Sequence, residues 1–283
     1  MKPVPANLYA LGAIALWATL ASLGVSLKHV PPFFLTGVAL LAGSLLALPF
    51  VLRDRRQWQV PPKTLVLGVY GLFGFHFLLF IALRHAPPVE ANLVNYLWPL
   101  LMVVLAPLFL IGVKLRPLHL AAALLGFAGA AIAILGAGGG NAGSSGWSWG
   151  FVPALASAFI WASYSLLTQR VKPFPTAAIG LFGTVSGLLS LGCHWALEPP
   201  AVLVARDWLL LALMGLGPLG AAFFLWDKAL KLGDARQIGI LSYLTPLGST
   251  ALLMLVSGRP LSWSIGLAAV MIIGAALMGT QAK

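Results

Sequence analysis

Tryptophan and tyrosine side chains near the middle of long apolar stretches are the groups in this sequence best suited to hold an organic ligand. Such residues usually lie where a membrane meets water, because the ring is apolar and the N–H or O–H group needs a polar partner. For a ring deep in an apolar stretch, that partner can be a water or a ligand held in a cavity. The alternative is a ring that packs on its neighbours or faces lipid. The candidates for ligand contact are Trp17, Tyr96, Trp98, Trp161, Tyr164 and Tyr243.

Two polar residues share this depth. His76 lies well inside an apolar stretch of the first half, and Asn95 lies near the start of the next one. An ionisable or amide group within a membrane is a candidate for function, because its burial is costly. The alternative is a structural role, in which either residue joins two helices by a hydrogen bond. We place both in the candidate binding site, with His76 able to hydrogen-bond a ligand or to relay a proton.

Two prolines occupy matching places in two apolar stretches. Pro99 follows Tyr96 by three residues, and Pro246 follows Tyr243 by three residues. Proline removes one helical hydrogen bond and kinks the helix, which leaves a carbonyl free and creates a point of bending. We predict that Pro99 and Pro246 are hinges; static kinks are the alternative.

The acidic residues are few, and all six lie in links or near the ends of apolar stretches. We therefore expect no carboxylate buried at mid-depth, which argues against proton-coupled drug antiport and against a sodium site. Asp227 is expected to pair with Lys228 or with loop residues. Cys193 is the single cysteine, which excludes an intramolecular disulfide and a cysteine metal cluster. We predict neither a metal nor a cofactor.

The elements that position these residues are transmembrane helices. The 283 residues are 60% hydrophobic and only 8% charged, whereas soluble proteins carry about 25% charged residues. A membrane-spanning helix needs about 20 apolar residues. Ten spans are predicted, at 7–27, 34–52, 64–83, 89–111, 118–136, 149–168, 175–195, 208–227, 237–256 and 262–280.

The net charge of +11 is a signal of orientation. With ten spans and a cytoplasmic N-terminus, 13 of the 17 basic residues lie on the cytoplasmic side, as the positive-inside rule requires. Both termini are then cytoplasmic. This distribution argues against a nucleic-acid partner and favours contact with anionic membrane lipid. The other side carries only Lys28, Arg84, Arg206 and Arg259.

The second half of the chain repeats the first. An offset of 144 residues aligns Trp17 with Trp161, and an offset of 147 residues aligns Tyr96 with Tyr243. Because each half holds five spans, an odd number, the halves must cross the membrane in opposite directions. Inverted repeats are typical of transporters, with the substrate near the midplane at the repeat interface. We predict a first repeat at 1–137, a glycine-rich linker at 138–148 and a second repeat at 149–283.

Two segments carry a family resemblance. Residues 80–99 read FIALRHAPPVEANLVNYLWP and residues 226–246 read WDKALKLGDARQIGILSYLTP. Each half resembles the EamA domain of the drug/metabolite transporter superfamily, and NYLWP is most similar to the bacterial exporters of aromatic amino acids. The resemblance implies ten helices, cytoplasmic termini and efflux of a small metabolite. Where many EamA repeats carry Gly-Glu after their fourth helix, this chain reads Gly112-Val113-Lys114 and Gly258-Arg259.

These features predict an all-α polytopic membrane protein of ten helices in two inverted five-helix repeats. Its expected function is export of aromatic and other apolar amino acids across the bacterial inner membrane, by alternating access and down a gradient. The rings would contact the substrate side chain, while His76 and Asn95 would address its amino and carboxylate groups. We expect a monomer and no enzymatic activity. Efflux of drugs or other metabolites is the alternative, followed by a lipid flippase or a membrane-embedded enzyme.

Overall fold

The structure is a computed structural model that describes residues 5–137, 147–257 and 263–281. Every regular element in these ranges is helical. Most of the predicted linker at 138–148 lies outside the described residues, as do Lys2, Gly258, Arg259 and Lys283.

Ten helical segments follow one another along the described ranges. Four of them begin at a proline, which suits the first helical turn because its fixed φ fits there and no N–H is needed. The segments are α1 (Ala6–Ser26), α2 (Pro32–Arg53), α3 (Pro62–His85), α4 (Pro88–Phe109), α5 (Pro117–Ala137), α6 (Phe151–Leu167), α7 (Ala178–Leu197), α8 (Ala205–Leu232), α9 (Ala235–Leu241 continued by Leu244–Ser257) and α10 (Trp263–Gln281).

Eight of these segments are long and apolar enough to cross a membrane: all except α6, which has 17 residues, and the divided α9. The chain is therefore an all-α, multi-pass membrane protein. Most predicted bounds agree with the helices to within three residues. The clearest difference is α8, which ends at Leu232 rather than at 227. Asp227 and Lys231 form an ion pair one turn apart, which lets the helix continue through charged residues.

The two halves share irregularities as well as helices. A π-helical turn interrupts α3 at Tyr70–Gly74 and α8 at Gly217–Ala221, 147 positions later. The helix that follows each turn is Phe75–His85 in one half and Ala222–Leu232 in the other, again 147 positions apart. Such matching breaks extend the sequence repeat to the level of backbone geometry.

Each helix of the first half packs against a helix of the second half. Helix α1 packs on α8 and α6 packs on α3, while α2 lies against α7, α4 against α9, and α5 against α10. Glycines allow the closest of these approaches. A Cβ on Gly187 would lie 2.9 Å from the Gly37 carbonyl oxygen, and one on Gly43 would lie 2.7 Å from that of Gly215. Gly37, Gly43 and Gly187 therefore act as packing residues at these contacts.

One buried carboxylate joins three helices at the end of the molecule where α2 begins. The Glu198 carboxylate accepts hydrogen bonds from the backbone N–H groups of Phe33 at 3.0 Å and Phe34 at 3.2 Å. It also receives Arg84 of α3 at 2.6 Å and His194 of α7 at 3.0 Å. The carboxylate satisfies orphan donors in the first turn of α2 and opposes the positive end of the helix dipole there.

Glu198→Gln is expected to destabilise the protein. It would remove the negative charge from a site with no solvent exposure of the side chain, leaving Arg84 without its partner. Breaking a buried pair in this way costs about 3–5 kcal/mol, and the partial exposure of Arg84 places the expected loss at the lower end. Thermal unfolding of the purified protein in detergent measures it. Glu90→Gln is the control, and equal melting temperatures for the two variants would contradict the role of Glu198.

Candidate functional site

Four tryptophans from four helices meet in the interior. Trp17 of α1 lies 5.8 Å from Trp161 of α6 and 5.1 Å from Trp226 of α8, measured between ring centroids. Trp98 of α4 lies 6.4 Å from Trp161 and 5.6 Å from Trp226. Each ring is at most 8% exposed. These separations fall in the range of attractive aromatic pairs, so the tryptophan cluster joins helices from both halves.

The indole N–H groups of the cluster divide into two kinds. Trp17 donates to the Pro218 carbonyl oxygen at 3.1 Å, and Trp226 donates to the Ser165 hydroxyl at 3.1 Å. Within the described ranges, Trp98 and Trp161 form no such hydrogen bond. A buried tryptophan N–H usually finds a partner, so these two donors are the ones suited to a ligand.

The π-helical turns position part of the cluster. Pro218, the acceptor for Trp17, belongs to the turn in α8. In the turn of α3, Gly71 lies directly against the Tyr164 ring, where a Cβ would overlap that ring. Tyr70 beside it shares a hydrogen bond of 2.8 Å with the Ser163 hydroxyl of α6. π-Helical turns are frequent at functional sites, and both of these turns contact helices that carry the cluster.

His76 lies beside the cluster, packed among phenylalanine rings. Its ring is 5.0 Å from Phe75, 6.1 Å from Phe80 and 6.3 Å from Phe223, and the residue is 7% exposed. Nδ1 lies 2.6 Å from the Leu72 carbonyl oxygen. Because a carbonyl only accepts, this contact assigns the proton to Nδ1. Nε2 of the neutral ring is then an acceptor for a donor such as an ammonium group.

Asn95 and Tyr96 lie where α4 is interrupted. Asn95 is buried, and its Oδ1 accepts a hydrogen bond from the Ser157 hydroxyl of α6 at 2.9 Å. Its amide nitrogen remains as a donor. Tyr96 follows in the turn at 96–97 and is half-buried. The bond to Ser157 gives Asn95 a helix-joining role, which leaves one end of the side chain for a ligand.

The two remaining tyrosines lie in different surroundings. Tyr164 is 5.4 Å from Trp161 and buried at the edge of the tryptophan cluster. Tyr243 is fully buried elsewhere, against Phe127 and Ala130 of α5 and Ile272 of α10. The structure brings Tyr164 to the cluster and does not bring Tyr243 to it. The 147-residue offset from Tyr96 identifies Tyr243 as its counterpart in the repeat, but it does not specify the direction in which the ring points.

Both hinge candidates follow a break in a helix. Helix α4 stops at Asn95 and resumes at Trp98, with Pro99 in the first turn of the second part. Helix α9 stops at Leu241 and resumes at Leu244, two residues before Pro246. The prediction of kinks inside continuous helices is corrected in this respect. Since proline donates no N–H, the chain tightens before it: Leu97 donates to the Val94 oxygen at 3.1 Å and Tyr243 to the Ile240 oxygen at 3.2 Å.

Sequence reasoning omitted Trp226, Phe223 and Phe75 from the site. Phe223 lies 5.6 Å from Trp161, and Phe75 lies 5.4 Å from it. Phe223 and Trp226 are three residues apart and share one face of α8, a pattern that was visible in the sequence. Trp226 lies within the quoted segment of the second half, next to charged residues that suggested a helix end.

Asp227 was expected near the end of an apolar stretch, and the structure buries its side chain within α8. This residue is 3% exposed and lies within α8, next to Trp226. Its Oδ2 receives the Lys231 ammonium at 2.6 Å and the Thr176 hydroxyl at 2.6 Å. Lys228, the expected partner, instead lies over the Tyr9 ring at 5.4 Å. On a helix, residues four apart share a face whereas adjacent residues diverge, which explains the choice of Lys231.

A second, more exposed ion pair lies at the same end of the molecule. Asp234 accepts from the Arg236 backbone N–H at 2.8 Å and from its guanidinium Nε at 3.0 Å. Arg236 also donates to the Lys114 carbonyl oxygen at 2.8 Å. Burial opposes ionisation of Asp234, but the bonds from Arg236 outweigh it and hold the pKa of this carboxyl below its usual value.

Comparison with known proteins agrees with this architecture. The EamA-like transporter family matches residues 4–135 and 148–280. The chain is 40% identical to the aromatic amino acid exporter YddG of Ancylobacter novellus, over 99% of this chain and 98% of that protein. It is 30% identical to the proteins of that name from Salmonella typhimurium, over 98% and 97%, and Escherichia coli, over 96% of each.

A solved crystal structure is similar over nearly the same extent. It shares 40% sequence identity and superimposes with a TM-score of 0.89, covering 98% of this chain and 96% of that chain. Sequence and fold thus agree over both halves, as the resemblance of the two quoted segments predicted. The chain belongs to the EamA-like transporter family.

Proposed function

We propose that this protein exports aromatic and other apolar amino acids across the bacterial inner membrane. The observation that carries the proposal is the buried tryptophan cluster, which offers ring surfaces from both halves and two indole N–H donors at Trp98 and Trp161. Three similar proteins are named as aromatic amino acid exporters, which supports the same substrate class.

In this proposal the cluster contacts the substrate ring, and polar groups at its edge contact the substrate backbone. Nε2 of His76 accepts from the amino group, and the Asn95 amide donates to the carboxylate. Trp17, Tyr164 and Tyr96 complete the wall, whereas Tyr243 is left out because it packs elsewhere. The rings contact one another in this structure, so an aromatic substrate is admitted only when they separate.

Alternating access follows from the arrangement of the halves. We propose two inverted five-helix repeats, 1–137 and 149–283, with ten spans in all. The matched π-helical turns and matched breaks before Pro99 and Pro246 support this symmetry. Rocking of one half against the other would open the cluster to each side in turn. Transport is proposed to be gradient-driven and the protein monomeric.

Counterflow in proteoliposomes tests the proposed substrate class. Vesicles loaded with unlabelled phenylalanine are expected to accumulate labelled phenylalanine, tryptophan and tyrosine, and to exclude lipophilic cations. Trp98→Ala, Trp161→Ala and Tyr96→Ala should each slow this uptake, because losing an aromatic contact costs about 0.5–1.5 kcal/mol beyond the buried area. Trp195→Ala is the control, since Trp195 is 88% exposed. Native rates in all three variants would place these rings outside the transport path.

The prolines are proposed to set the rate of gating rather than affinity. Pro99→Ala and Pro246→Ala each restore a backbone N–H near the break in α4 or α9, which favours a continuous helix. We expect melting temperatures at or above that of the parent, slower counterflow, and a smaller change in substrate affinity. Pro107→Ala, within the second part of α4, is the control. Unchanged flux in both variants would show that the breaks are static.

Orientation is proposed from the basic residues, with both termini in the cytoplasm. A reporter that is active only in the cytoplasm, fused after Lys283, should be active because ten spans return the chain to its starting side. A matched fusion of a reporter that is active only in the periplasm should be silent. The opposite pattern would refute the proposed topology.

A further inference from the structure

The Asp227–Lys231 pair is a buried site with one unused oxygen. Oδ2 of Asp227 is occupied by Lys231 and Thr176, both at 2.6 Å. Oδ1 is buried and has no hydrogen-bond partner among the described residues. Buried carboxylate oxygens are normally satisfied, and an unsatisfied one is unfavourable. Asp227 can therefore accept a hydrogen bond from one further donor, at Oδ1.

Lys231 is held from the opposite side. Its ammonium donates to the Phe174 carbonyl oxygen at 2.8 Å and lies 4.0 Å from the centroid of the Phe174 ring. The Asp227 side chain is 2% exposed, and that of Lys231 is 29% exposed. The lysine is thus partly exposed while the carboxylate is buried, and Trp226 of the tryptophan cluster precedes Asp227 in the chain.

The repeat-related counterpart of Lys231 is Arg84, whose carboxylate partner has no unused oxygen. Arg84, 147 positions before Lys231, lies 5.5 Å from the Phe33 ring centroid and pairs with Glu198. Both oxygens of Glu198 are occupied, by the backbone of α2, by Arg84 and by His194. The Glu198 pair is complete as a structural joint, whereas the Asp227 pair is not. This difference points to a ligand at Asp227.

We propose that the Asp227–Lys231 pair binds the zwitterionic head of the amino acid by exchange of partners. The α-ammonium donates to Asp227 Oδ1, and the α-carboxylate accepts from the Lys231 ammonium, which gives up part of its contact with Oδ2. This inference rests on the proposed function and adds a second place of contact to it. The side chain of the bound amino acid then points toward Trp226.

Charge balance favours a zwitterion at this pair. A neutral pair that exchanges with a neutral zwitterion brings no net charge into the apolar interior, so no ion is left unpaired. An amine without a carboxylate, or an acid without an ammonium, leaves one charge without a partner. In the proposed topology the pair lies on the cytoplasmic side of the cluster, so an exported amino acid meets it before it meets His76 and Asn95.

Three ligands distinguish recognition of the ammonium group from recognition of the carboxylate. They are phenylalanine, 3-phenylpropionate, which lacks the ammonium, and phenethylamine, which lacks the carboxylate. Their affinities are measured by competition with labelled phenylalanine on purified protein. The native protein should prefer phenylalanine over each analogue by at least about tenfold, since a hydrogen bond between charged groups is involved. Asp227→Asn should lower the preference over 3-phenylpropionate, and Lys231→Gln the preference over phenethylamine; the preference that remains comes from His76 and Asn95.

Controls separate recognition from folding. Asp234→Asn makes the same change of charge in the exposed pair at this end of the molecule and should keep both preferences. If either single variant fails to fold, Asp227→Asn combined with Lys231→Gln leaves no unpaired charge and decides the matter by lowering both preferences. A folded double variant that keeps them, or single variants that weaken all three ligands equally, would overturn the inference. Native protein without amino acid counterflow would instead refute the proposed function.

Discussion

The absence of water from the bilayer interior is the constraint on which this structure depends. Every polar group there must find a partner within the protein, and the helix ladder does this wherever it is unbroken. The chain breaks its ladder at matched places, in the two π-helical turns and before two prolines. At one of these places the Trp17 indole N–H donates to the Pro218 carbonyl oxygen. A backbone carbonyl at a helix irregularity and a buried indole N–H thus satisfy each other.

The charged residues obey the same constraint in two different ways. Glu198 is satisfied completely and acts as a joint between α2, α3 and α7. Asp227 is satisfied on one oxygen only. Arg84 and Lys231 hold matching places in the two halves, but the carboxylate partner of Arg84 has both oxygens occupied, whereas that of Lys231 has one.

Much of this arrangement was predictable from residue types and spacing. Apolar length located the helices, and the 144-residue offset identified Trp17 and Trp161 as a pair. Other features depend on the direction in which a side chain points, which spacing does not specify. Tyr243 lies at the position that matches Tyr96 in the repeat, but its ring packs against α5. Asp227 was expected near solvent because charged residues surround it, yet α8 continues and buries it. The π-helical turns have no signature in a single sequence, because their hydrogen bonds depend on the packing of neighbouring helices.

The mutual contact of the tryptophans has a consequence for energetics. In this structure the rings of α1, α4, α6 and α8 already occupy one another's faces. Each ring is therefore an intramolecular competitor of the ligand, and any incoming ring must replace contacts that the protein makes with itself. Under the proposed function, the net gain on binding is the difference between the ring contacts made with the ligand and those given up within the protein, so a modest affinity is expected. The same exchange helps release, because the rings close behind a departing ligand and regain what it gave up.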